Sequence, residues 1–317
     1  MGVRMKGKIG IALGGGAARG WAHIGVIKAL RDAGIHPDIV VGTSIGAVVG
    51  GCYVANHLDH LEEFATGLSK RSVFSYLDFS LTGTSLISGQ RLCSKLEARI
   101  KIRRIEDMEK KFAAVATEME SGHEVWLKRG RLIDAMRASY AIPGVFRPVR
   151  VKNRWLMDGA IVNPVPVSVC RALGARTVIA VNLNSDSCKQ GTIIPDYDFG
   201  DEPVVSCHEE PVQAEAPQQE PGNTRSALKL LHRQFFGEKN DDTPGMTSVM
   251  MDAVNITQDR IARSRLAGDP PDLMISPRLD DIGLFEFYRA NEAIEAGRAA
   301  TNFKLNEFQE NIGELVS

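Results

Sequence analysis

"PDIVVGTSIGAVVGG", residues 37–51, decides how the rest of the chain is read. Its first half, "PDIVV" (37–41), is a short apolar run rich in β-branched residues, the signature of a buried strand. Its second half opens "IGAVVGGCYVAN" (45–56), which reads as a buried helix. Between them Gly42 and Gly46 bracket Ser44 in the pattern G-x-S-x-G. Such a serine is either a helix cap on a glycine turn or a nucleophile elbow, which holds its hydroxyl exposed at a strand tip. The pentapeptide alone leaves both open, and the strand–turn–helix context favours the elbow.

The same pattern occurs once before. "KIGIAL" (8–13) reads as a strand, "GGGAARG" (14–20) as a glycine-rich turn, and "WAHIGVIKALRDAG" (21–34) as an amphipathic helix stopped at Gly34. Strand–helix–strand–helix predicts an α/β fold, a mostly parallel central sheet with helices on both faces in three layers. In such a sheet the turns after consecutive strands share the C-terminal edge, where open α/β proteins place their sites. The two glycine-rich turns are therefore expected to face each other.

The first turn is not a nucleotide loop. A dinucleotide fingerprint needs a third glycine where Arg19 stands and an acid at the end of the second strand, where Gly-Thr-Ser stands instead. A Walker loop needs Gly-Lys-Ser/Thr, which is absent. What remains is an anion cradle of consecutive N–H groups at Gly14, Gly15, Gly16 and Ala17, with Arg19 beside them. That is the requirement of an oxyanion hole. The N–H of Ile45, at the start of the helix after Ser44, is a further candidate donor. A tight β–α turn using glycine for packing alone is the plainer alternative.

A base is harder to find. A Ser–acid–His hydrolase of the α/β type carries its histidine last, and after Asp158 the sequence holds His208 and His232 alone. Both lie in a stretch of unusual composition, unsuited to a rigid catalytic histidine. His23, His36, His57, His60 and His123 come earlier and carry no motif. An aspartate acting alone is the better candidate. Asp158 ends the apolar run "RWLMDGA" (154–160), before Gly159, which permits a sharp turn. A carboxylate beside an apolar core has its pKa raised by desolvation, which suits a base. Asp capping its own turn is the competing reading.

The 317 residues suffice for one large α/β domain or two small ones. A formal net charge of −1 supplies no field that attracts nucleic acid. Five scattered cysteines form no CxxC pair; they read as reduced thiols in a cytoplasmic protein, and neither a disulfide framework nor a metal site is expected. No apolar run approaches the length of a spanning helix, and the apolar part of the N-terminus is too short for a signal peptide.

Residues 8–184 are read as the catalytic core, and 246–317 as helices and a strand completing the same domain. Residues 185–245 form a Glu-, Pro- and Gln-rich insert expected to be flexible. Within it, "SALKLLHRQFFGEK" (226–239) has the clustered apolar and basic residues of an amphipathic helix. That helix and a candidate flap at 72–88 motivate a transient membrane-surface contact, which sets the chain at the inner membrane face.

Four motifs in order, "GGGAARG", "GTSIG", "ASYAIPGVFRPV" (138–149) and "DGAIVNPVP" (158–166), resemble the bacterial branch of the patatin-like phospholipase family from about residue 8 to 184. The resemblance implies a Ser–Asp dyad at Ser44 and Asp158, and an oxyanion hole in loop 14–20 with Arg19 at its basic position. It also implies that no cofactor is needed, and that phospholipid or lysophospholipid esters are the substrates. This chain departs from the family pattern twice: Asp-Gly-Ala replaces the frequent Asp-Gly-Gly, and Ala17 stands where many members have glycine. Two other functions are carried beside a lipid esterase: a thioesterase or small-ester esterase, and a regulatory scaffold that keeps the fold.

Overall fold

The structure, a computed structural model, describes residues 7–76, 104–184 and 246–316. The candidate flap, the insert and its amphipathic segment lie wholly or largely outside the described residues. The chain divides into two compact units, Met1–Ser187 with Asn255–Ser317, and Cys188–Val254. The sheet and both glycine turns belong to the first unit.

Strand β1 (Ile9–Leu13) leads through a 3-10 turn, Ala17–Trp21, into helix α1 (Ala22–Asp32). Strand β2 (Ile39–Thr43) leads through Ser44 into α2 (Ile45–Val54). Helices α3 (Leu58–Thr66) and α4 (Lys70–Tyr76) follow, separated after Gly67. Strands β3 (Lys111–Glu118) and β4 (Glu124–Leu127) precede α5 (Leu132–Ser139). Strands β5 (Val149–Val151) and β6 (Arg154–Asp158) form a hairpin, followed by α6 (Val167–Ala172) and β7 (Thr177–Val181). Helix α7 (Met246–Gly268), β8 (Leu273–Ile275) and α8 (Ala290–Val316) complete the order.

The central strands β3-β2-β1-β7-β8 are parallel throughout, and β4, β5 and β6 add an antiparallel flank. The parallel strands are buried on both faces, which is why they read as near-continuous apolar runs. Ile11, Leu13, Val40, Phe112, Ile179 and Val181 pack with Ile24, Leu30, Val49 and Ile294 from α1, α2 and α8. Their neighbours Ala12, Val41, Val115 and Ala180 pack on the other side with Val167, Val169 and Ala262 from α6 and α7. The free thiols Cys52 and Cys170 are buried in these two layers.

One register detail positions the site. Residues Ala114 and Val115 of β3 pair with Gly42 and Thr43 on one side and with Leu127 and Trp126 of β4 on the other. Ala116 and Thr117 keep β4 as a neighbour and gain Asp158 and Met157 of β6. A strand has two hydrogen-bonding edges, so β6 must take the edge that β2 leaves when the chain turns at Ser44. Two strands running in opposite senses thus meet end to end beside β3. One ends at Thr43 and the other at Asp158.

Candidate active site

Ser44 has φ 56° and ψ −125°, a conformation that an L residue adopts only under constraint. The constraint is visible at both flanking glycines. A Cβ on Gly42 would lie 2.3 Å from the Gly46 carbonyl oxygen, and one on Gly46 would lie 2.2 Å from that of Leu13. The turn is therefore packed backbone against backbone, and the spacing G-x-S-x-G follows from sterics. It is held from outside as well. The Ser44 N–H donates to Ser139 Oγ (2.9 Å), and Ser139 Oγ donates to the Val115 carbonyl (2.6 Å). Thr43 Oγ1 donates to the Asn163 carbonyl.

Ser44 Oγ donates to Asp158 Oδ2 at 2.6 Å, and the two residues are 4% and 1% exposed. The other carboxylate oxygen, Oδ1, accepts from the Ala160 N–H at 2.8 Å. The backbone of Asp158 is pinned too: its N–H donates to the Ala141 carbonyl, and its own carbonyl accepts from Thr117 Oγ1. Burial pushes the Asp158 pKa up to about 7, against the lowering effect of the bonds from Ser44 and Ala160. The next residue, Gly159, lies so close to β3 that a Cβ there would be 2.2 Å from the Val115 carbonyl oxygen.

The glycine loop lies against both. A Cβ on Gly15 would be 3.1 Å from the Ala160 Cβ and 3.5 Å from the Ser44 Cβ, so the two glycine turns do meet. A Cβ on Gly20 would strike the Ile45 side chain. The expected set of donors needs correcting here. The Gly14 N–H is bonded to the Val181 carbonyl, continuing the β1–β7 pairing, and that of Gly15 to the Pro164 carbonyl in the loop before α6. The N–H groups of Gly16, Ala17 and Ile45 have no partner among the described residues. Ala17 has φ 48°, a second non-glycine residue held in the left-handed region beside Ser44.

Arg19 stands differently from the sequence expectation of an anion ligand. Its Nε donates to the Ile282 carbonyl at 2.9 Å, and burial lowers its pKa while Asp280 raises it. Two more bonds run the same way, from the Ala18 N–H to the Leu284 carbonyl and from Trp21 Nε1 to the Phe287 carbonyl. The segment between β8 and α8 therefore clamps the loop through three carbonyls.

His23, read from sequence as an ordinary helix residue, is also a loop anchor. It is fully buried, and burial lowers its pKa to about 4, so the ring is neutral. Nε2 lies 2.8 Å from the Gly14 carbonyl, which fixes the proton on that nitrogen. Neither Ser139 nor His23 was legible as part of the site. For Ser139 the signal was its place in "ASYAIPG"; for His23 it was its position one turn into the helix after the loop. Among the described residues no group of three or more His, Cys, Asp or Glu side chains is placed to hold a metal ion.

The chain resembles known proteins at two levels. Residues 11–171 match the family model "Patatin-like phospholipase". An uncharacterized NTE family protein of Mycobacterium tuberculosis (strain ATCC 25618 / H37Rv) is 32% identical over 95% of this chain and 92% of its own length. The human patatin-like phospholipase domain-containing protein 6 is 34% identical over 56% of this chain, which is 13% of that protein. A crystal structure of VipD from Legionella pneumophila aligns with a TM-score of 0.47 at 13% identity, over 96% of this chain and 67% of that one. By the match over half its length and by the full-length mycobacterial relative, this chain belongs to the patatin-like phospholipase family of lipid acyl hydrolases.

Proposed function

We propose that the protein is a serine acyl-ester hydrolase working through a Ser44–Asp158 dyad on phospholipid or lysophospholipid esters. The observation that carries this reading is the 2.6 Å bond from Ser44 Oγ to a buried Asp158 carboxylate. Asp158 takes the proton from Ser44 Oγ as that oxygen attacks the ester carbonyl carbon. The resulting oxyanion accepts hydrogen bonds from the N–H groups of Gly16, Ala17 and Ile45, and the positive end of α2 adds to them. When the tetrahedral species collapses, protonated Asp158 gives its proton to the leaving alcohol. A water molecule then enters, Asp158 removes its proton, and hydroxide attacks the acyl-enzyme. The fatty acid leaves, and Ser44 recovers its proton from Asp158.

A base with a pKa of about 7 suits both halves of this cycle, since it is readily protonated and deprotonated near neutral pH. The lipid substrate is supported by the family and by the names its relatives carry.

Labelling with a fluorophosphonate probe tests the assignment. Wild type is expected to label and Ser44→Ala not to. Labelling that survives in Ser44→Ala would mean that another residue is the nucleophile.

A further inference from the structure

From Ala135 to Met157 the chain carries five basic residues, Arg137, Arg147, Arg150, Lys152 and Arg154, and no acidic one. The last four cluster on the β5–β6 hairpin and its lead-in, and all four are exposed. Trp155 follows them and is 45% exposed, with the Arg150 guanidinium 5.8 Å from its ring centre. Met119, whose N–H bonds to the Trp155 carbonyl, is 44% exposed. The register accounts for the exposure of Trp155. Its neighbour Leu156 is paired with Glu118 and buried against Ala116 and Ala138, so Trp155 must face the other way.

The hairpin also projects where the site opens. Asp158 is level with Ala116, and Leu156 with Glu118, the last residue of β3. The turn at Lys152 and Asn153 therefore extends past the C-terminal edge of the sheet. At about 3.3 Å per residue it stands roughly 15 Å beyond Asp158. Nearby acids offset the charge only in part: the Glu118 carboxylate acts electrostatically on Arg154. Glu118 is folded into its own turn, accepting from the Ser121 and Glu120 N–H groups and from Ser121 Oγ. Glu124 is bound by Arg265, Asn163 and Trp126. Among the described residues Glu120 is a further exposed acid of this edge, and Arg150 and Lys152 carry exposed positive charge on β5 and at its turn.

We propose that this hairpin docks the protein on an anionic phospholipid bilayer. Clustered Arg and Lys are attracted to the negative surface of such a membrane, and an amphipathic Trp ring settles at its interface. Ser44 and Asp158 are buried, so an acyl chain has to leave a bilayer to reach them. A cationic, aromatic projection at the rim of the site shortens that transfer. The inference rests on the lipid-ester reading of the dyad for its purpose, though the surface can be tested by itself.

The full chain is sedimented with vesicles of phosphatidylcholine alone and of phosphatidylcholine mixed with phosphatidylserine. Wild type is expected to pellet with the anionic vesicles and to be released as salt screens the attraction. The double variant Arg150→Glu/Lys152→Glu should bind roughly tenfold more weakly or worse, and Trp155→Ser a few-fold more weakly. Both variants should keep wild-type fluorophosphonate labelling and hydrolysis of a short soluble ester, which shows them folded. Wild type that fails to pellet with anionic vesicles would overturn the proposal, as would a double variant that pellets equally. A concentration-dependent dimer that the double variant abolishes, with no vesicle binding, would reassign the edge strand to self-association and also overturn it. If wild type neither labels nor hydrolyses, the hydrolase reading fails, while the pelleting still decides the docking surface.

Discussion

The two glycine turns at the sheet edge solve similar problems by opposite means. The elbow at 42–46 is built mainly from its own neighbourhood. Its glycines lie against Gly46, Ala47 and Leu13, and two outside bonds hold it, from Ser44 N–H to Ser139 Oγ and from Thr43 Oγ1 to the Asn163 carbonyl. The loop at 14–20 is held from far along the chain, by the carbonyls of Ile282, Leu284 and Phe287. These residues fall outside the 11–171 span that matches the family model. A local turn can be recognised from five residues. A loop held at long range cannot, because its partners are backbone carbonyls, and any residue supplies one.

Asp158, which the elbow serine touches, carries the largest expected effect. On the proposed mechanism Asp158→Asn removes the base but keeps the shape, so kcat should fall by about 10³–10⁴ with the fold intact. Activity of wild type should rise through pH 7 as the carboxylate forms. The same variant reports on stability with a definite sign. The folded pKa of Asp158, about 7, lies above its ordinary 3.8. Its contribution to stability is fully present below pH 3.8 and is lost as pH rises through 7. Asp158→Asn should therefore melt higher than wild type at pH 8, and this advantage should shrink at pH 5. A variant that melted lower at pH 8 than wild type, and equally at pH 5, would contradict a buried, reluctant carboxylate.

Ser139 tests how self-sufficient the elbow is. Its hydroxyl joins the Ser44 N–H to the Val115 carbonyl, and all three residues are buried. Ser139→Ala leaves one donor and one acceptor unpartnered, which costs about 1–3 kcal/mol in the melt. As a positioning residue it should act on kcat by roughly tenfold to a hundredfold while KM stays near wild type. Threonine, which keeps the hydroxyl, should restore most of kcat. An equal loss in the threonine and alanine variants would show that α5 packing, and not the hydrogen bond, sets the elbow.

Most of the architecture was legible because the parallel strands are apolar runs separated by helices of clear period. The missed strand, Val149–Val151, is three residues long, follows Pro148 and carries Arg150; it exists because β6 offers it an edge, a tertiary fact with no local trace. Ser44 is legible from G-x-S-x-G and Asp158 from its strand end before Gly159, and it is the resemblance of the four motifs that implies they pair. What the strands could not reveal was that β6 takes over the edge β2 leaves, which is how the two ends touch. The oxyanion loop was read one step too generously. Gly14 and Gly15 look like donors in a glycine run, but their N–H groups are already bonded, Gly14 to the end of β7 and Gly15 to the loop carbonyl of Pro164. For Arg19 the sequence shows a guanidinium beside an anion cradle but not that its Nε bonds to a carbonyl of a distant segment.

The smallest effect belongs to that distant clamp, and it is the one that separates the two turns most cleanly. Trp21 packs its ring edge-on to Phe287 at 6.0 Å and donates its indole N–H to the Phe287 carbonyl. Trp21→Phe keeps much of the ring and removes the bond, at about 1 kcal/mol of stability. If the loop needs the clamp to hold its N–H groups in place, kcat should drop a few-fold, with the pH dependence of wild type preserved because Asp158 is untouched. The elbow should not notice: on the proposed mechanism fluorophosphonate labelling still occurs, only more slowly, as an oxyanion hole would require. Adding Ser139→Ala to Trp21→Phe then asks whether the turns are independent. Effects on kcat that multiply mean two separate supports, and a combined loss smaller than the product means that loop and elbow move as one unit.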